Sequence, residues 1–147
     1  MATILLLSGP NLNLLGEREP DHYGTTTLDE LVAIASEAAA KRGHDVEHFQ
    51  SNHEGALIDT IHAARGRCAA IVINPGAFSH YAYAIADALA AYDGVKIEVH
   101  LSNPHAREAW RHHSVVSPVV DATITGLRSA GYRLAIDAAA TLWEERP

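Results

Sequence analysis

The stretch Thr3-Ile4-Leu5-Leu6-Leu7-Ser8-Gly9-Pro10 decides the fold, because a short, continuous apolar run stops there at a glycine and a proline. Such a run, without alternation of apolar and polar residues, is typical of a strand that helices cover on both faces, as in parallel sheets. Residues 9–24 follow as a long polar loop that contains Arg18 and Tyr23. A loop of this length is more often a lid or a site than a simple connection. We therefore expect an active-site lid loop at residues 9–24.

Helix-like and strand-like segments alternate through the rest of the chain. Thr27 is placed to cap a helix, with Glu30 at the third position of an amphipathic segment. Strands that alternate with helices predict an α/β fold with a doubly wound parallel sheet, and five strands favour the flavodoxin-like order in a single domain of residues 1–147. Predicted helices span residues 28–42, 54–65, 81–92 and 124–143, with a helical turn at 107–110, and predicted strands span residues 3–7, 45–50, 69–73, 96–99 and 115–120.

Composition excludes several classes of protein. The net charge is −7 and the basic residues are scattered, so the chain lacks the basic surface of a nucleic-acid-binding protein. No apolar run approaches the ~20 residues of a membrane span, and the first residues do not resemble a signal peptide. The single cysteine, Cys68, excludes an intramolecular disulfide and is consistent with a reducing compartment. We expect a cytoplasmic protein that binds neither nucleic acid nor membranes.

Three irregular segments leave the carboxyl ends of the first, third and fourth predicted strands, beginning at Gly9, Asn74 and His100. Ligands bind outside this edge of a parallel sheet, so we expect the segments to converge in one crevice. Their arginines, histidines, amides and tyrosine suit an anionic, hydroxylated ligand that is not a nucleotide. A guanidinium near a phenol also favours the phenolate, which is a base. The converging residues are Asn11, Arg18, Tyr23, Asn74, Gly76, His80, His100, Ser102 and Arg111.

Other chemistries lack their usual sequence patterns. His44 and His48 share one face and His112 adjoins His113, but neither pair forms part of a complete metal-ligand set. Both lysines lie outside the three loops, which disfavours a Schiff base. The chain has no Gly-x-Ser-x-Gly elbow and no glycine-rich nucleotide fingerprint. We expect no metal and no cofactor, and a flavodoxin-like binding module that holds flavin stays an alternative.

Four segments of the chain together resemble the type II 3-dehydroquinate dehydratases. They cover nearly the whole chain in the expected order and spacing. Ser8 stands where the family usually has asparagine, and residues 79–83 replace a run that usually contains Thr-His-Thr, but neither departure removes a position to which the family assigns chemistry. The segments are residues 9–24 (Gly-Pro-Asn-Leu-Asn-x-Leu-Gly-x-Arg-Glu-Pro-x-x-Tyr-Gly), 50–55 (Gln-Ser-Asn-x-Glu-Gly), 73–80 (Ile-Asn-Pro-Gly-Ala-x-x-His) and 98–103 (Glu-x-His-Leu-Ser-Asn).

The resemblance implies a reaction and catalytic roles. The family removes water from 3-dehydroquinate to give 3-dehydroshikimate by anti elimination through an enolate, without a metal or a covalent intermediate. By this resemblance Tyr23 is the base and Arg18, on the mobile loop, holds it as phenolate. His100 is the general acid with Glu98 as its partner, and Asn11 holds a water that stabilises the enolate.

The resemblance also implies the binding residues and the assembly. Asp87 would enter the site from a neighbouring subunit of a trimer, and four trimers would form a dodecamer. The looser match after Ser117 leaves this assembly less defined than the catalytic positions. The substrate contacts implied in this way are Asn74, Gly76, His80, Asp87, Leu101, Ser102 and Arg111.

The pathway stays open at this stage. The same reaction serves the shikimate pathway of aromatic amino acid biosynthesis and the catabolic breakdown of quinate. A catalytically degraded homologue is a further alternative, and the intact Arg18, Tyr23 and His100 argue against it.

Overall fold

Five parallel strands form the central sheet of the computed structural model, which describes residues 1–147. Their order is β2-β1-β3-β4-β5, so the chain adds one strand beside β1 and then continues on its other side. This order confirms the predicted flavodoxin-like, doubly wound sheet. The strands are β1 (Thr3–Ser8), β2 (Asp45–Gln50), β3 (Ala70–Asn74), β4 (Val95–His100) and β5 (Ala122–Thr125), and the helices are α1 (Pro20–Tyr23), α2 (Leu28–Ala40), α3 (Glu54–Ala64), α4 (Tyr83–Ala90) and α5 (Ala130–Glu144).

Helices cover the sheet on both faces, which explains the continuous apolar run of β1. Ile4 and Leu6 pack with the buried residues of α2 and α5. Leu5 and Leu7 point to the other face and pack with α3 and α4. Because successive side chains of a strand alternate between faces, both sets of β1 residues must be apolar.

The start of α2 follows the predicted capping signal. The Thr27 hydroxyl accepts a hydrogen bond from the Glu30 N–H at 3.2 Å, and the helix begins at Leu28. Gly43 follows the helix with a φ of 77°, a conformation that glycine adopts without strain. None of the helices is long and apolar enough to cross a membrane.

The C-terminal region differs from the prediction. The strand predicted at residues 115–120 is wrong, because Pro118 lies in a 3-10 helix and β5 begins only at Ala122. The helix predicted from residue 124 is also wrong at its start, since Ile124 pairs with Val99 in the sheet and α5 begins at Ala130. The apolar residues after Val115 show no periodicity that would distinguish a buried turn from a strand.

Two shorter segments also differ in their boundaries. The helix predicted at residues 81–92 is α4, which begins at Tyr83, because a 3-10 helix at Gly76–His80 precedes it. The turn predicted at residues 107–110 is a 3-10 helix at Ala109–Arg111.

The loops after β1 and β3 are in direct contact, and this contact requires glycine. A Cβ on Gly9 would lie 2.5 Å from the Pro75 carbonyl oxygen, and the Gly9 N–H donates to the Asn74 carbonyl at 2.8 Å. Gly76 has a φ of 58° and lies against Pro10. The close approach places both loops at the same carboxyl edge of the sheet.

Candidate active site

Every predicted site residue except Asp87 and Glu98, the predicted partner of His100, lines a cavity at the carboxyl edge of the sheet. The segments after β1, β3 and β4 form its walls, as the topology predicted. Its lining residues are Pro10, Asn11, Leu12, Arg18, Tyr23, Asn74, Gly76, Ala77, His80, His100, Leu101, Ser102, Pro104, Arg107 and Arg111.

The lining of the cavity favours an anion. Arg18, Arg107 and Arg111 reach it, and no carboxylate lines it. Guanidinium groups in a concave site attract negative charge and bind carboxylates with directional hydrogen bonds. The N–H groups of Leu101 and Ser102 donate to no carbonyl of the chain, so they remain available to a carboxylate there.

Tyr23 is held between two arginines. Its hydroxyl accepts hydrogen bonds from Arg107 at 2.8 Å and from Arg18 at 3.3 Å. Both guanidinium groups also lie over its ring, at 4.5 Å for Arg18 and 5.0 Å for Arg107. Two guanidinium groups therefore meet at one phenol oxygen.

Arg107 is the functional residue that sequence reasoning missed. Its side chain is only 5% exposed, and it also donates to the Ser102 hydroxyl at 3.2 Å and lies 3.6 Å from the Glu19 carboxylate. Its Nε is buried without a hydrogen bond and lies 3.7 Å from the Glu108 carboxylate. The available signal was its position, since Arg107 lies in the same loop after β4 as the predicted Arg111.

His100 forms a buried dyad with Glu98. The Nε2 atom of His100 lies 2.5 Å from the Glu98 carboxylate, which is 1% exposed. Ser117 and Ser114 donate their hydroxyls to the same carboxylate at 2.6 and 3.3 Å. Burial alone would raise the pKa of Glu98, but the hydrogen bond and charge of His100, together with both hydroxyls, outweigh burial and lower it. Glu98 therefore stays ionised and orients the ring of His100.

His80 is oriented by its surroundings as a neutral ring. Its Nδ1 lies 2.7 Å from the His113 carbonyl, and its ring packs edge-on against Trp110 at 5.3 Å. A carbonyl accepts only from a protonated nitrogen, so Nδ1 carries the hydrogen and Nε2 remains an acceptor. Burial lowers the pKa of His80 and outweighs the opposing effect of this hydrogen bond.

The amide of Asn74 has a single consistent orientation. Its oxygen accepts from the Gly76 N–H at 3.1 Å, and its nitrogen donates to the Tyr132 hydroxyl at 3.0 Å. Tyr132 lies on α5 and is fully buried, and burial raises its pKa to about 12. The fixed amide keeps its second N–H for a ligand.

Asn11 begins the loop in a left-handed conformation with a φ of 67°. Its N–H donates to the Asn52 side-chain oxygen at 2.9 Å. Gln50 donates to that same oxygen at 3.2 Å and to the Gly9 carbonyl at 3.1 Å. The segment after β2 therefore anchors the start of the loop, which explains Gln50 and Asn52 of the motif at residues 50–55.

Asp87 lies outside the cavity of its own chain. It is an exposed residue of α4, on a helix that packs against the opposite face of the sheet from α5. No group of three or more histidine, cysteine, aspartate or glutamate side chains is arranged to hold a metal ion.

Comparison with known proteins gives matches over almost the whole chain. Residues 2–140 match the model of the family described as dehydroquinase class II. The catabolic 3-dehydroquinase 2 of Aspergillus flavus is 57% identical over 92% of this chain and 91% of its own length. The 3-dehydroquinate dehydratase of Corynebacterium glutamicum strain R is 53% identical over 97% of this chain and 98% of its own length. The crystal structure of type II dehydroquinase from Propionibacterium acnes superposes with a TM-score of 0.89 at 50% identity, covering 96% of this chain and 97% of that one.

Proposed function

The chain belongs to the dehydroquinase class II family, and we propose that it is a 3-dehydroquinate dehydratase, a hydro-lyase that converts 3-dehydroquinate to 3-dehydroshikimate. One observation in the structure supports this function above the others. A tyrosine held by two arginines and a histidine held by a buried carboxylate line the same anion-binding cavity. A base and an acid on one small cavity are the requirements of an elimination of water.

The first step is removal of the proton alpha to the ketone. The Tyr23 phenolate accepts this proton, and Arg18 and Arg107 stabilise the phenolate beforehand. The negative charge then develops on the ketone oxygen as an enolate. Asn11, whose main chain is held by Asn52, positions a neutral hydrogen-bond donor toward that charge, by way of a bound water.

The second step is loss of the C1 hydroxyl as water. His100 donates a proton to this hydroxyl from Nδ1, since Nε2 is engaged by Glu98. The ionised carboxylate of Glu98 holds Nε2 and orients the ring for the transfer from Nδ1. All atoms balance, because Tyr23 gains the proton that the substrate loses and His100 supplies the proton that leaves in water.

The substrate is held by the remaining lining residues. Arg111 and the free N–H groups of Leu101 and Ser102 bind its carboxylate. Asn74 donates to a ring hydroxyl, and His80 accepts from one at Nε2. Gly76 leaves space for the ring beside Pro10, because its Cα bears no side chain.

The lid loop of residues 9–24 closes over the bound substrate in this proposal. Its first part is fixed, because Leu12 and Leu15 are buried in the core. Movement is therefore proposed for residues 16–24, between two glycines with φ values of 92° and 76°.

The assembly proposed is a trimer in which Asp87 enters the site of a neighbour, with four trimers forming a dodecamer. The exposure of Asp87 and of the nearby Tyr81 and Tyr83 supports an interface at this surface. Mixed refolding of Tyr23→Phe and Asp87→Asn subunits tests it. If the site is shared, random assembly should give a complete site in about one quarter of positions. If Tyr23 and Asp87 of one site came from the same chain, no mixed assembly would contain a complete site and no activity would return.

The activity is tested by adding 3-dehydroquinate and following the absorbance of the conjugated enone product. We expect product with the unmodified chain and almost none with Tyr23→Phe. The absence of product from the unmodified chain would contradict the proposal, and a flavin spectrum in the purified protein would favour the binding module. The biosynthetic shikimate role and a cytoplasmic location are our proposals, and growth of a dehydroquinase-deficient strain on minimal medium tests the former.

A further inference from the structure

Arg128 has a backbone conformation that arginine rarely adopts. Its φ is 52°, and only two other non-glycine residues of the chain have a positive φ, Asn11 and Glu19. Both of these lie in the lid loop. A left-handed conformation is strained for a residue with a long side chain, and strain persists only where other interactions compensate. Arg128 lies far from the lid loop in sequence, between β5 and α5, and needs interactions of its own that compensate for its backbone strain.

The side chain of Arg128 contacts the lid helix α1. Its two terminal nitrogens donate to the carbonyl oxygens of Pro20 at 3.3 Å and Asp21 at 3.2 Å. It also lies against Gly24, where an added Cβ would come within 3.3 Å of Nη1. Its own N–H donates to the Leu101 carbonyl at 3.0 Å. One residue therefore joins the lid to the loop that is proposed to bind the substrate carboxylate.

The lid helix needs external partners of this kind. It is a single turn, and none of its residues is buried. The N–H groups of Tyr23 and Gly24 bond to the Glu19 and Pro20 carbonyls, and no backbone N–H donates to the Asp21 carbonyl, which therefore accepts from Arg128 or from water. A helix of one turn is not stable by itself, and an arginine that donates to its last carbonyls stabilises it. A cleft of about 190 Å³ separates part of α1 from the loop after β4, and Tyr23 is the residue of α1 that packs against the apolar core.

We propose that Arg128 is a positioning residue that holds α1 in the closed position and so keeps Tyr23 over the catalytic cavity. This inference rests on the proposed function for its effect on KM, but the contact itself is independent of the reaction. The strained backbone aims the guanidinium at the lid, and the two hydrogen bonds compensate for the strain.

Substitution by glycine tests the proposal, because it removes the contact and the strain together. In Arg128→Gly, amide hydrogen exchange in residues 16–24 should become about tenfold faster, while the melting temperature stays the same or rises. Arg128→Ala should show the same exchange with a lower melting temperature than Arg128→Gly, since alanine keeps the strain. Arg128→Lys should lie between wild type and alanine in its exchange, because one ammonium replaces a two-pronged donor. Arg133→Ala is the matched control on α5, where Arg133 pairs only with Asp137, and its lid should exchange as in wild type.

Kinetics complete the test. An opened lid must close when substrate binds, so KM should rise about tenfold in Arg128→Gly while kcat changes less than about twofold. Unchanged exchange in residues 16–24, or faster exchange with unchanged KM, would overturn the proposal. If the unmodified chain forms no enone product, the proposed function fails, whereas the exchange measurement still decides whether Arg128 holds the lid.

Discussion

The two sides of the catalytic cavity are built in opposite ways. Tyr23, the proposed base, lies on a one-turn helix without a buried residue, packs only partly against the core and has its hydroxyl held by arginines. His100, the proposed acid, ends a central strand, and its partner Glu98 is almost completely buried. In our proposal the base side opens to admit substrate, while the acid side keeps a fixed geometry and charge. Substitutions on the two sides should consequently differ in their effects on kcat and on amide exchange in residues 16–24.

The largest effect is expected at the base itself. Tyr23→Phe removes only the hydroxyl that accepts the proton, so kcat should fall by at least about 10³-fold, or about 4 kcal/mol of transition-state free energy. Substrate affinity should stay nearly unchanged, measured by calorimetry. Tyr92→Phe is the control, because the Tyr92 hydroxyl donates to the Cys68 carbonyl and does not line the cavity. A Tyr23→Phe enzyme with more than a tenth of wild-type turnover would exclude Tyr23 as the base.

The next effect compares the two arginines on the base side. Arg107 is more buried than Arg18 and closer to the phenol oxygen, at 2.8 against 3.3 Å. We expect Arg107→Met to lower kcat about 10³-fold and Arg18→Met about 10²-fold, because an ion pair is stronger where water is excluded. Steady-state kinetics of both variants check this order. The reverse order would mean that Arg18, and not the more buried Arg107, provides most of the stabilisation of the phenolate.

On the acid side, the charge of Glu98 can be removed without changing its shape. Glu98→Gln should lower kcat about 10²-fold, because His100 loses the carboxylate that orients and stabilises its protonated form. Amide hydrogen exchange in residues 16–24 should not change, which distinguishes this variant from Arg128→Gly. Glu145→Gln, at an exposed position beyond α5, serves as the control. Equally faster amide exchange of residues 16–24 in Glu98→Gln and in Arg128→Gly would contradict the independence of the two sides.

The smallest effect concerns stability against pH. The folded-state pKa of Glu98 is lower than its ordinary value near 4.5, so the unfolded chain binds more protons as the pH falls. The stabilisation is fully present above that ordinary value and is lost as the pH falls through the folded-state pKa. Wild type should therefore lose more stability than Glu98→Gln between about pH 5 and pH 3, measured by urea unfolding. Parallel curves for the two proteins would show that Glu98 is not stabilised as an anion.

Local signals in the sequence predicted most of the fold. The uninterrupted apolar residues of β1 and the capping threonine before α2 each act over a few residues, and both led to correct elements. The region after Val115 was mispredicted, because the residues of β5 alternate only weakly and a proline precedes them. A short edge strand of this kind is selected by its pairing with β4, which lies elsewhere in the chain.

The sequence by itself determined the parallel sheet, the three loops at its carboxyl edge and the residue types available for chemistry there. Only the tertiary structure decided which of them meet. Tyr23 and Arg107 are 84 positions apart, and Arg128 and Pro20 are 108 apart, so no local pattern relates either pair. The physical reason is that periodicity and capping report the neighbours of a residue along its own element, whereas side-chain partners in loops depend on strand order and on how the elements pack.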